Sequence, residues 1–342
     1  MYPVIHVSDD ASDLPEQLGT KRKFWYRDDK NGLCLFKEGR PNTGENWAEK
    51  VCCELCELLG IPHARYDFAE WRNCKGVVSP TFVPNEGRLI LGNELLAKLV
   101  KDYEHTRRFD VRQHTVQVVM AILRVPLLMK VPKTILKGQP PVKAPITVMI
   151  PPSRQVAKSV IRPVSIGMPL DYKPPDELTK VADVFVGYLM LDALVGNQDR
   201  HHENWGLVLS NHRITLAPTF DHASSLGRNE LDAARMERLT SRDQGRSVEK
   251  YVERAKSAFY GRLSDEKPLT TLAAFQEAAR ISPGASLYWL RRLQMTARAD
   301  YGAIFNNIPY SEISELARDF ALKMLEINRG RLLQNLKTVT TL

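Results

Sequence analysis

The 342 residues, 43% hydrophobic and 26% charged, suffice for two compact lobes with a sizeable core, in the ordinary range for a globular chain. No window supplies the roughly 20 uninterrupted apolar residues of a membrane helix, which argues against a helical membrane protein. The net charge of +8 is placed unevenly: residues 126–175 carry eight Lys/Arg against one acid, Asp171, a local balance of +7, so the remainder is almost neutral.

The N-terminal run MYPVIHVSDDASDLPEQ has no basic start followed by an apolar core, so a secretory signal is not expected. The five cysteines (Cys34, Cys52, Cys53, Cys56 and Cys74) are an odd set in a chain too long to need stapling. They predict free thiols in a reducing cytoplasm.

In chain order, residues 17–38 read as a β-hairpin. Phe24-Trp25-Tyr26 and Leu33–Phe36 are strand-like, and the polar turn Arg27–Gly32 ends in Asn31-Gly32. Lys37 closes the second strand; taken alone it is the solvated end of a strand. A helix follows over 45–59, with Ala48, Val51, Cys52, Leu55, Cys56 and Leu59 on one apolar face and Gly60 and Pro62 ending it. The cluster Cys52-Cys53-x-x-Cys56 invites a metal reading, but Cys52 and Cys56 fall on the apolar face with no histidine close by. They are therefore expected to be buried core thiols.

Strands are expected around 64–70, 76–83 and 89–91, and helices in 92–125. Residues 126–175 hold 11 of the 21 prolines and read as a basic insertion: a solvated loop, or a surface for an acidic partner, nucleic acid or an anionic membrane. A helix over 177–195, with Asp176 and Glu177 against its positive end, is apolar almost all round, as a central core helix is. A second hairpin is expected over 205–216, and residues 247–336 read as helices throughout. The last is marked by Ile313, Leu316, Phe320, Met324 and Ile327.

The chemistry concentrates between the core helix and just beyond the second hairpin. Asp199, Asn204 and Asp221 supply a carboxylate that can orient a hydroxyl and two oxygen donors that can share magnesium. Phosphoryl transfer needs little more than such positioning and charge neutralisation, so a kinase is the leading expectation. The hairpin between Asn204 and Asp221 would fold the two together. His201 and His202 are sequence neighbours, not the i, i+4 pair of a helical zinc site, so zinc is disfavoured.

The run Gly196-Asn197-Gln198-Asp199-Arg200-His201-His202-Glu203-Asn204, followed by Leu216-Ala217-Pro218-Thr219-Phe220-Asp221, resembles the HipA-like kinases. That family's D-x-H-x-x-N loop matches Asp199, His201 and Asn204, and its metal-binding Asp after a short apolar strand matches Asp221. The match is good over about 178–226, plausible over 17–95 and looser beyond. His222 stands where protein kinases have Phe.

The resemblance implies an α+β, two-lobed protein-kinase-like fold: a small β-rich N-lobe (1–91) and a larger, mainly helical C-lobe (92–342) containing the insertion 126–175. It implies an ATP- and Mg-dependent protein serine/threonine kinase acting in the cytoplasm. It also implies a toxin–antitoxin role with a small helix-turn-helix antitoxin as partner. The chain begins almost at the ATP-covering sheet, so the extra N-terminal domain of longer members is expected to be absent.

Site roles follow from the same resemblance. Gly19, Thr20 and Lys21 would cover phosphates, although one glycine is not the G-x-G-x-x-G pattern. Lys37 would pair the nucleotide phosphates, held by Glu49, with Glu54 as the other possible partner. Phe82-Val83 would form the hinge that meets adenine. Asp199 would accept the substrate hydroxyl, Asn204 and Asp221 would bind magnesium, and His201 would contact phosphate or support the loop. Arg200 would brace the segment after Asp221, Asp192 would be structural, and Ser224, Ser225, Thr240 and Ser241 are candidate phosphorylation sites in an activation or docking segment over 222–250.

The D-R-H-x-x-N core also occurs in phosphatidylinositol kinases. A lipid or small-molecule kinase with a membrane-facing insertion is therefore an alternative, as is a nucleotide-binding pseudokinase. The joint presence of Lys37, Asp199, Asn204 and Asp221 argues against the last.

Overall fold

The computed structural model describes residues 1–11, 14–15, 22–132, 146–150 and 159–339. A six-stranded sheet comprises β1 (Val4–His6), β2 (Leu14–Pro15), β3 (Lys23–Asp28), β4 (Gly32–Glu38), β5 (Asp67–Trp71) and β6 (Cys74–Pro80), in the order β1-β5-β6-β4-β3-β2. The expected first hairpin is β3–β4. Asp28 Oδ1 accepts from the amides of Lys30 (3.1 Å) and Asn31 (2.7 Å), and Gly32 takes a φ of 72° that glycine adopts without steric cost. The register pairs Lys37 with Lys23 and Val77, putting Lys37 near the end of a central strand. Strand β1, which no pattern announced, lies parallel to β5.

Helix α1 (Glu45–Leu59) has the expected bounds, and Gly60, at φ 74°, returns its amide to the carbonyls of Cys56 and Glu57. Its predicted apolar face is fully buried. Arg292 caps the far end by donating to the carbonyls of Leu58 and Leu59, each at 3.3 Å. All five cysteines are free thiols. Burial pushes the Cys52 and Cys56 thiols well above their ordinary range and Cys53 up to about 12, which makes them core groups rather than reactive ones. No metal-ligating group of three His, Cys, Asp or Glu occurs among the described residues.

A second sheet, of four strands, holds β7 (Arg88–Leu91), β11 (Ile166–Gly167), β12 (Gly206–Ser210) and β13 (Arg213–Leu216), in the order β11-β13-β12-β7. Strand β7 pairs antiparallel with β12, so the connection 81–87 passes from one sheet to the other. Between them in sequence come α2 (Gly92–Leu99) and α3 (Val116–Ile122). Within 126–175, β8 (Leu127–Pro132), β9 (Ile146–Ile150) and β10 (Ser159–Val164) pair in the order β10-β8-β9, so this stretch contains a sheet of its own. The basic residues Lys133, Lys137, Lys143, Arg154 and Lys158 lie outside the described residues, and the expected acidic-partner surface with them.

Helix α4 (Val181–Val195) is buried along its whole length. It starts four residues later than expected. Leu178 N–H donates to the Pro175 carbonyl (3.0 Å), so Asp176 and Glu177 belong to a preceding turn. The acid that caps the helix is Asp183, accepting from the Lys180 amide at 2.9 Å. Gly187 lets Trp289 approach so closely that a Cβ would meet the indole at 2.6 Å.

Against α4 pack α7 (Thr271–Ile281), α8 (Pro283–Gln294) and α10 (Glu315–Val339), while α5 (Asp232–Thr240), α6 (Val248–Glu253) and α9 (Arg298–Asn306) pack against α10. Helices do not run throughout 247–336: residues 254–270 are irregular, with bridges from Lys256 to Thr270 and from Thr115 to Tyr260. Gly261 and Pro268 supply the physical reason. Among the described residues no helix is long and apolar enough to cross a membrane.

Candidate active site

Lys37, Glu49 and Asp221, 12 and 172 residues apart, converge beneath the six-stranded sheet. Lys37 Nζ lies 3.0 Å from Asp221 Oδ1 and 3.9 Å from Glu49 Oε2, with Tyr66 beneath it, the ring centroid at 5.1 Å. Burial works against the lysine's charge, but Asp221 and Glu49 more than offset it and its pKa is held well above the usual range. Glu54, the other possible partner, pairs instead with Lys50 at 2.7 Å. Glu49 also accepts the His222 amide through Oε1 at 2.8 Å. His222 is fully buried, with Nε2 2.8 Å from Thr219 Oγ1. Asp221 itself adopts a φ of 59°, and its amide donates to the Tyr66 hydroxyl at 3.2 Å. A non-glycine residue held in this region is uncommon and re-aims its side chain.

Helix α4 delivers the loop 196–204 from below. Arg200, with no exposed side-chain surface, grips Asp192 through Nε (2.9 Å) and Nη2 (2.8 Å). Its Nη1 donates to the Asn204 carbonyl (2.8 Å) and the Phe220 carbonyl (3.4 Å). Asn197 Nδ2 donates to Asp192 Oδ1 at 2.8 Å. One buried guanidinium thus ties the helix to both ends of the β12–β13 hairpin, which brings Asn204 and Asp221 to one side. Asp192 is structural here, as expected, whereas Arg200 braces Phe220, before Asp221, instead of the segment after it.

Asp199 Oδ2 accepts from Ser224 Oγ at 3.3 Å, and its Oδ1 stands 3.5 Å from His201 Nε2. His201 Nδ1 accepts from the Glu203 amide (3.1 Å), which leaves the ring proton on Nε2, facing Asp199. The His201 ring is thus tied to the loop backbone through Nδ1 and faces Asp199 through Nε2. Burial, with Asp221 adding repulsion, pushes the Asp199 carboxyl up to about 6. Asn204 Nδ2 donates to the Asp199 carbonyl at 2.7 Å, which leaves its amide oxygen as the atom offered to a cation.

Behind the loop lies a polar cluster that sequence reasoning missed. The Tyr103 hydroxyl meets His202 Nδ1 at 2.8 Å. His114 Nδ1 pairs with the Ala258 carbonyl (3.2 Å), while its Nε2 accepts from Trp205 Nε1 (3.1 Å). The His114 ring stacks on Phe259 with centroids 4.1 Å apart. Nothing in the spacing of these residues points to one another.

Burial, with His202 adding, pushes the His114 pKa from 6.5 to about 3. Below pH 6.5 the unfolded chain takes up this proton and the folded one does not, so stability must fall as pH drops towards 3. At about pH 5 the loss is about 2 kcal/mol, from ~1.4 kcal/mol per pH unit. Urea unfolding at about pH 7.5 and pH 5 should show wild type losing about that much more than His114→Gln; equal losses would remove His114 as the cause.

The remaining expected residues are placed as follows. Gly19, Thr20 and Lys21 lie outside the described residues. Phe82 stacks on Phe220 at 5.6 Å, and the Val83 amide donates to Thr81 Oγ1 at 3.2 Å, within the 81–87 connection between the sheets. Ser225 is buried, whereas Thr240 and Ser241 lie at the end of α5.

No protein-family model matches the chain, and no curated protein matches it. Solved structures do. The Helicobacter pylori proinflammatory kinase CtkA is similar over 99% of both chains, with a TM-score of 0.65 at 16% identity. HipA from Shewanella oneidensis MR-1, in a toxin–antitoxin complex with HipB and operator DNA, is similar over 96% of this chain and 67% of its own, with a TM-score of 0.53 at 12% identity. Together with the two sheets and the helices around α4, these likenesses establish that the chain has a HipA-like, protein-kinase-like fold, α+β and two-lobed.

Proposed function

We propose that the chain is an ATP- and Mg-dependent protein serine/threonine kinase. The observation that carries this reading is the buried Lys37 shared by Asp221 and Glu49, facing a loop that presents Asp199 and Asn204. The donor set fits the implied groups. Asn204 and Asp221 offer hard oxygens suited to magnesium, and a permanently charged lysine suits nucleotide phosphates. In this reading Asn204 and Asp221 hold the metal, Lys37 and Glu49 set the phosphates, and Phe82-Val83 lie at the hinge beside adenine. Gly19, Thr20 and Lys21 remain the candidates to cover the phosphates. Magnesium, when bound, supplies neutralisation of phosphate charge.

Asp199 then accepts the proton of an incoming serine or threonine hydroxyl as the oxygen bonds to the γ-phosphorus and ADP departs. Its raised pKa puts the base near working pH, where general-base action is most effective. A cytoplasmic location fits the free thiols. A helix-turn-helix antitoxin partner, and with it a toxin role, is supported only by the likeness to HipA, which was solved with HipB and DNA.

The test is labelled ATP with magnesium, offered to protein acceptors and to phosphatidylinositol vesicles, with the products separated by mass. Label on serine or threonine is the expected result, and loss of that label in Asp221→Ala ties it to this site. Label on lipid alone would replace the protein-kinase reading by the lipid-kinase one. Nucleotide binding with no transfer would leave a pseudokinase.

A further inference from the structure

Ser224 and Arg228 belong to no expected site role beyond a generic phosphorylation candidate, yet they connect α1 to Asp199. Arg228 Nη1 pairs with Glu45 Oε1 at the first turn of α1, and Arg40 Nη1 reaches the same oxygen at 3.1 Å. The Gly44 amide donates to the Arg228 carbonyl at 2.9 Å. Arg228 Nη2 lies 3.1 Å from Ser224 Oγ, and Ser224 Oγ lies 3.3 Å from Asp199 Oδ2. The Ser224 carbonyl also accepts from the Gln198 amide at 3.3 Å.

The direction of this chain is fixed by chemistry. A guanidinium only donates, so Ser224 Oγ must accept from Arg228. A carboxylate only accepts, so the single hydroxyl proton must point at Asp199. Arg228 therefore locks a hydroxyl that otherwise rotates freely, and the locked hydroxyl holds one oxygen of Asp199. With Oδ1 facing His201, the carboxylate is held on both sides and keeps one orientation towards an incoming hydroxyl.

We infer that Ser224 and Arg228 are positioning residues: a relay from Glu45 through Arg228 and Ser224 that orients the Asp199 carboxylate and makes its geometry depend on the seating of α1. This rests on the kinase reading for its catalytic consequence, but the relay itself can be judged without turnover.

The experiment uses the full chain with Mg-ATP and the protein acceptor that wild type labels. It compares Ser224→Ala, Ser224→Thr, Arg228→Met and the Ser224→Ala/Arg228→Met double variant. Loss of one charge-assisted hydrogen bond that acts on the base predicts a fall in kcat of about 10- to 30-fold for Ser224→Ala. The KM for ATP should stay within about twofold, because Lys37, Asn204 and Asp221 are untouched. Threonine, which keeps the hydroxyl, should restore most of the rate. The double variant should be about as slow as Ser224→Ala alone, since the two act in series.

Hydrogen exchange is read on the same proteins, and Ser224→Ala should exchange faster over 196–204. Unchanged exchange there, or a loosened loop with wild-type kcat, overturns the relay. A fall in kcat with a parallel rise in the KM for ATP points to general disruption and overturns it too. Faster exchange in a protein whose wild type transfers no phosphate sustains the relay and sinks the kinase reading instead.

Discussion

Replacing Arg200 with methionine is expected to cost about 3–5 kcal/mol of stability, the range for removing one partner of a buried ion pair. Methionine retains much of the apolar stem, so lost packing is not the main effect. The cost comes from what the guanidinium leaves behind. Asp192, 3% exposed, would keep only the Asn197 amide for a buried carboxylate. The carbonyls of Asn204 and Phe220 would lose the donor they share. Burial opposes the arginine's charge, yet Asp192 more than offsets it and its pKa is raised, so the charged pair belongs to the folded state.

Guanidinium unfolding at about pH 7.5 measures the loss. A companion variant, Arg200→Met with Asp192→Leu, removes the stranded charge and is expected to recover at least ~1 kcal/mol, because apolar replacements of whole buried pairs are often neutral. A single variant within ~1 kcal/mol of wild type would mean that the network is not holding the loop.

Much of this site could be read from the sequence because its parts are local or strongly patterned. Helix α1 showed a clean apolar face between glycines and ended where expected. Asp199 and Asn204 are five residues apart on one loop, and the alternating residues of 205–216 implied a hairpin returning to Asp221. The Lys37–Glu49 pair came from the resemblance to kinases, since a helix carrying four glutamates does not by spacing alone single one out.

What failed needed information that spacing does not carry. Ser224 is one of several serines and threonines in its segment, and its contact with Asp199 exists only because two loops 25 residues apart are folded together. His114 and Tyr103 reach the loop from roughly 100 residues upstream, and they lie in the non-helical stretch between α2 and α3, within a range expected to be helical. The start of α4 was misread because acids after a proline pair suit a turn as well as a helix end. In 254–270 the breakers Gly261 and Pro268 interrupt the helices, a signal that reading 247–336 as helical throughout passes over.

The largest kinetic effect is expected for Asp199→Asn. The substitution keeps the size of the side chain, and its amide oxygen can still accept from Ser224. What is lost is the capacity to take a proton, together with the charge and the acceptor facing His201 Nε2. If Asp199 is the base, kcat should fall by about 10²- to 10⁴-fold, the usual worth of a positioned general base. Nucleotide affinity should stay within about twofold, because the residues proposed to hold ATP and magnesium are unaltered. A loss in kcat without a change in binding is the mark of an interaction made only in the transition state.

Asp221→Asn should behave differently. It weakens the ion pair that holds Lys37 at 3.0 Å and removes one proposed metal oxygen, so both kcat and the magnesium requirement should change. Calorimetric titration of nucleotide, with and without magnesium, beside single-turnover transfer separates the two patterns. An Asp199→Asn protein that keeps more than about a tenth of wild-type turnover would show that this carboxylate orients the substrate without taking its proton, since hydrogen bonding alone survives the change. Equal kinetic signatures for the two variants would mean that both carboxylates serve the metal, and the division of roles between loop and hairpin would have to be redrawn.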